Sequence, residues 1–72
     1  MLDKKIIAGK LVALRRGVPR ENVSKEVGIS VSALQMYECA QRVPRDEIKI
    51  ALARYYKTSV EQLFFDDQVH IS

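Results

Sequence analysis

Few side chains in this chain could support covalent or metal chemistry, and their positions work against it. There is one histidine, His70, and one cysteine, Cys39. A zinc site draws at least three ligands from Cys, His and carboxylates, so this pair supplies no set. His70 has no nucleophile near it in sequence, and the acidic residues fall at helix starts rather than as a converging acid–base pair. No glycine-rich phosphate loop is present. The sequence therefore predicts no catalytic residues, no metal, no cofactor and no small-molecule ligand. Cys39 reads as a small packing residue, with a redox sensor as the alternative.

The chemistry that remains is ionic and hydrogen-bonding. Up to Arg20, the bases Lys4, Lys5, Lys10, Arg15, Arg16 and Arg20 stand against a single acid, Asp3; past Val60, Glu61, Asp66 and Asp67 face no base. The net charge of +3 leans towards anionic partners. Seventy-two residues make one domain with a small core, and net stability in the range of about 3–5 kcal/mol is expected. With 47% hydrophobic and 29% charged residues, the main body has the composition of a folded chain and not of a disordered one. No apolar run approaches the roughly 18 residues of a membrane span. The start, Met1-Leu2-Asp3-Lys4-Lys5, has no signal-peptide pattern. With only one cysteine as well, the expected location is the cytoplasm.

The elements that must carry these side chains follow from periodicity. Ile6, Ile7, Leu11 and Leu14 recur at helical spacing and predict a first helix from about Asp3 to Arg16, capped by Gly17. Pro19 can occupy the first position of a second helix, with Glu21 complementing its dipole, Val23 and Val27 inward, and Gly28 ending it. Ser30 is a good N-cap for a third helix from Val31 to about Cys39. Leu34 and Tyr37 lie on its inner face, and Val31, Ser32, Gln35 and Met36 are left to the outside. Val43-Pro44-Arg45-Asp46 repeats the start signal of Val18-Pro19-Arg20-Glu21 and predicts a fourth helix from about Arg45 to Tyr56, burying Ile48, Leu52 and Tyr55, with Ala51 a candidate. Ser59 followed by Gln62 fits a capping box for a brief fifth helix from Val60 to about Phe64, where Leu63 and one of Phe64 and Phe65 close the core. The expected fold is all-α, a compact five-helix bundle over residues 1–65 with a flexible C-terminal tail over 66–72.

The informative unit is the pair of short helices across Gly28, a helix-turn-helix pattern. Its turn sets the helices at a steep angle, so the first braces while the second projects a face that fits the major groove of B-DNA. The stretch from Leu11 to Phe65 resembles the phage-repressor and Cro-like (XRE-type) family of helix-turn-helix regulators. The resemblance is carried by Leu14-Arg15, Glu21-Asn22-Val23-Ser24, Val27-Gly28-Ile29-Ser30, Leu34, Tyr37-Glu38, Arg42-Val43-Pro44 and Ser59-Val60-Glu61-Gln62-Leu63-Phe64. It implies a lambda-repressor-like domain that binds double-stranded DNA as a transcriptional regulator, a repressor of phage or mobile-element type acting as a homodimer. It also implies an ion pair between Arg15 and Glu38, base contacts from Val31, Ser32, Gln35 and Met36, and DNA-backbone contacts from Arg20, Ser30, Arg42 and Arg45. The exposed one of Phe64 and Phe65, Tyr56 and the tail are the candidates for a dimer interface.

Four positions depart from the family pattern. The link from Arg15 to Val18 is about two residues short, Pro19 replaces a Ser or Thr cap, and Ala40 stands where glycine is favoured after the recognition helix. The recognition face also carries no Lys or Arg, so the commonest specific contact, arginine to guanine, is missing. Base readout is expected to be either A·T-biased or weak, with affinity coming from flanking arginines and DNA shape. The same uncharged face suits an alternative from another class, a protein-interaction module such as an antirepressor or an antitoxin-like partner.

Overall fold

The computed structural model describes residues 3–65. The expected tail over 66–72, with His70, lies outside the described residues. Four α-helices run Lys4–Arg15 (α1), Arg20–Val27 (α2), Val31–Glu38 (α3) and Asp46–Tyr55 (α4), followed by a π-helical segment Glu61–Phe65. No strand occurs among the described residues, and no helix there is long and apolar enough to cross a membrane.

Each start and stop has a local cause. Asp3 caps α1, its carboxylate accepting from the backbone N–H of Lys5 and Ile6 at 2.9 and 3.3 Å. The stop was expected at Gly17, but Arg16 is the capping residue and is itself left-handed at φ 53°, with Gly17 next at φ 79°. Two left-handed residues in succession turn the chain within the short link, and Val18 N–H then bonds Arg15 C=O at 3.0 Å. Gly28 ends α2 at φ 87°, a conformation that costs glycine little and a residue with a Cβ about 1 kcal/mol. Ser30 Oγ accepts from Ala33 N–H at 3.0 Å to open α3.

The repeated Val-Pro-Arg segments do not use the same helix-start chemistry, contrary to expectation. Pro19 is the residue just before α2, with Arg20 the first helical residue, whereas Pro44 lies one residue further out and Arg45 precedes α4. Pro19 is exposed and Pro44 buried, so the first acts by fixing the chain's entry and the second by packing. Nor is the capping box complete. Gln62 N–H bonds Ser59 Oγ at 3.0 Å, but the Gln62 side chain accepts from Thr58 Oγ1 instead of returning to the Ser59 backbone.

Leu11, Val23, Leu34 and Leu52 are fully buried, one from each α-helix, and with Ile7, Tyr37, Ala53, Leu63 and Phe64 form a single core. Each such burial contributes about 2 kcal/mol before entropy is counted. Of the two terminal phenylalanines, Phe64 points in and Phe65 is half exposed. The inner face of α4 differs from the expected one: Ile48, Ala51 and Tyr55 are only partly buried, and Lys49 joins Leu52 and Ala53 inside. The Lys49 ammonium lies 4.8 Å from the Phe65 ring centre and 5.9 Å from that of Phe64, and pairs with exposed Asp46 at 3.6 Å. Burying its stem while the charge sits over π-faces makes the position tolerable for a lysine.

Candidate functional site

α3 is the element around which the polar groups of the molecule are arranged. It packs on both α1 and α2. Its inner face supplies Leu34, Tyr37 and Glu38, all buried, and Glu38 is its one charged residue. A carboxylate at a helix C-terminus meets the negative end of the dipole, so burying it there needs cations. Two arrive. Arg15 Nε, from the end of α1, donates to Glu38 Oε2 at 2.8 Å, and Arg20 Nε, from the start of α2, donates to Glu38 Oε1 at 2.8 Å. The Glu38 side chain has no exposed surface. Arg15 also donates through Nη1 to the Val18 carbonyl at 2.8 Å, which ties the short α1–α2 link into the same network. Its hydrogen bond to Glu38 holds the Arg15 guanidinium more firmly protonated than usual.

Arg20 is thus the residue whose surroundings differ most from the sequence-based expectation, which gave it to a DNA backbone. Its Nε is engaged by Glu38, and no spacing rule along the chain would have paired residues 18 apart. A cation in the first turn of α2 opposes that helix's dipole, and the Glu38 carboxylate offsets the cost. Tyr56, just past α4, sits beside this network. Burial first, and then the charge of Glu38, push its phenol up to about 12. The Tyr56 hydroxyl is buried without a hydrogen-bond partner, as is Ser24 Oγ on α2.

The outer face of α3 is quite different. Val31, Ser32 and Gln35 are exposed and Met36 is half buried. Val31 and Gln35 are four residues apart, one above the other on the same stripe. Ser30, exposed at the head of the helix, spends its hydroxyl on the cap. Past α3, Cys39 is exposed and free, not the packing residue expected, because it lies just past the buried Tyr37–Glu38 end of the helix. Ala40 is left-handed at φ 62°, and the turn is closed by Gln41 N–H on the Met36 carbonyl at 2.9 Å. Arg42 and Arg45 follow, both exposed, lining an open concavity with Ala33, Tyr37 and Ile48. Neither makes an ion pair among the described residues. The arrangement is a helix with an uncharged outer face and two exposed guanidiniums beyond its C-terminal end. No cluster of His, Cys, Asp and Glu able to hold a metal occurs among the described residues.

A helix-turn-helix family model matches residues 10–63, which takes in the second half of α1, the whole α2–turn–α3 unit, α4 and the first part of the closing segment. No curated protein and no solved structure gives a significant match to the chain.

Proposed function

The chain belongs to the XRE-type helix-turn-helix family of DNA-binding transcription regulators, whose partner is double-stranded DNA, and from that premise we propose that it is a repressor of phage or mobile-element type that binds a pseudo-palindromic operator as a homodimer. The observation that carries the reading is the contrast between the two faces of α3. Its one charge is buried against Arg15 and Arg20, while Val31, Ser32 and Gln35 stand free to enter a major groove. In this reading Arg42 and Arg45 hold phosphates at one end of the helix. Ser30 approaches the backbone at the other end, and Arg20, beside Glu38, approaches it through the part of its guanidinium that Glu38 does not occupy. Phosphate contacts fix register and base contacts specify. One domain of this size makes few of either, and pairing across half-sites about 34 Å apart doubles them.

The test is fluorescence anisotropy of a random duplex at about 50 and 200 mM salt, with the wild-type chain and an Arg42→Ala/Arg45→Ala variant. Arg20 is unsuitable for this purpose because its loss would also disturb Glu38. Wild-type binding should weaken steeply with salt, and the variant should flatten the log–log slope by about 2, close to one unit for each phosphate that is no longer neutralised. The uncharged outer face of α3 favours one other reading, a protein-interaction module. A folded chain that binds no duplex at about 50 mM salt would decide for that reading.

A further inference from the structure

If α3 enters the major groove, the side chains that it exposes narrow down what it can read. Arginine on guanine O6 and N7 is ruled out along the helix itself, because Glu38 is the one charged residue of α3 and it is buried. The two arginines nearest that carboxylate are held on it by their Nε atoms. Ser30 Oγ accepts from Ala33 N–H, which leaves its O–H as a donor for a phosphate and not for base readout along the helix. Met36 is half buried and close to the turn that its carbonyl closes. The freely presented groups reduce to the Val31 isopropyl, the Ser32 hydroxyl and the Gln35 amide. An amide offers one donor and one acceptor in a plane, the complement of adenine N6 and N7. A β-branched side chain with one preferred rotamer in a helix offers a fixed apolar surface, the complement of the thymine 5-methyl. Ser32 accepts either partner and so adds little discrimination.

We propose that α3 reads neighbouring A·T base pairs, with Gln35 on adenine and Val31 on a thymine methyl. One helical turn separates the two side chains, about 6 Å along the axis. The two base pairs are therefore adjacent or one step removed, and neither of the two discriminating contacts is made to guanine. The proposal rests on the DNA-binding reading above and deepens it by naming the class of sequence recognised.

The experiment is a selection from a randomised duplex pool with the intact chain. The enriched duplex is then resynthesised with deoxyuridine for each thymine in turn, which removes one methyl and nothing else. One replacement should weaken wild-type binding about fourfold, the worth of one methyl-sized apolar contact. The same replacement should cost the Val31→Ala variant nothing. Gln35→Ala should lose about 5- to 150-fold of its preference for adenine at one position. Because the base replacement alters only the DNA, its outcome stands even if a variant folds poorly. Enriched sites centred on invariant G·C pairs and indifferent to deoxyuridine would overturn the proposal while leaving the salt-dependent binding, and hence the function, intact. Absence of salt-dependent binding to any duplex would overturn both together.

Discussion

Two pairs of arginines flank α3 and meet opposite fates. Arg15 and Arg20, on the side of α1 and α2, converge on one buried carboxylate and hold three helices together. Arg42 and Arg45, in the segment after α3, are exposed and paired with no carboxylate among the described residues. The difference lies in what each pair is near. A buried acid at a helix C-terminus cannot stay charged without partners, so it recruits whichever cations the short α1–α2 link brings within reach. Beyond α3 no acid is buried among the described residues, and the two arginines stay exposed. Residues of one type thus hold α3 in place on one side and leave exposed positive charge on the other.

The comparison breaks most visibly at Glu38. Glu38→Gln keeps the shape but removes the charge, and should cost about 3 kcal/mol in a urea or thermal unfolding experiment, a large part of the stability of so small a domain. Arg42→Ala with Arg45→Ala should shift the same midpoint by no more than about 0.5 kcal/mol, since both side chains are exposed. Equal losses from the two changes would mean that the segment after α3 is as much a structural support as the α1–α2 side.

Ala40 sharpens the contrast at a smaller scale. It holds a left-handed backbone that glycine adopts more easily, so Ala40→Gly should raise stability by up to about 1 kcal/mol, read as a higher unfolding midpoint. The gain is reduced by the greater freedom of glycine in the unfolded chain.

The smallest effect at neutral pH is expected at Tyr56, whose hydroxyl is buried beside the Glu38 network without a partner. Tyr56→Phe should be near neutral at pH 7, because there is no hydrogen bond to remove. Alkaline pH separates the two chains. The phenol is raised from 10 in the unfolded chain to about 12 in the fold, so the fold binds its proton more tightly than the unfolded chain does. That contribution is complete below about pH 10 and lost as pH rises through about 12. Between these values wild type should lose stability that Tyr56→Phe retains, and the change in ultraviolet absorbance on tyrosinate formation should show one late-ionising tyrosine that the variant lacks.

Much of this was legible along the chain, and the exceptions have physical reasons. Helix limits fell within a residue of expectation for α1, α3 and α4 because Asp3, Ser30 and the flanking turn residues act locally. Lys49 was missed as an inward residue although it lies three and four positions before Leu52 and Ala53 on the same stripe; residue type outweighed position, and the Phe64–Phe65 pair that accommodates it comes from another element. The choice between Phe64 and Phe65 depended on a π-helical segment, whose wider turn has no periodic signature in so short a run. Arg20 could not be assigned to Glu38 because the pairing depends on how the short link aims α2. Two consecutive left-handed residues, one of them an arginine, set that angle.

The joining of three helices at Glu38 has a consequence for how the molecule assembles. One carboxylate takes guanidiniums from residues 23 and 18 positions earlier, so it is fully paired only once α1, α2 and α3 have all come together. A chain in which α3 docks while α1 is still loose leaves half of that charge uncompensated in the interior. Partly assembled forms are penalised for that reason, and folding is expected to be all-or-none across the first three helices. A truncation that removes the end of α1 should then cost the whole unit its order, not one helix alone.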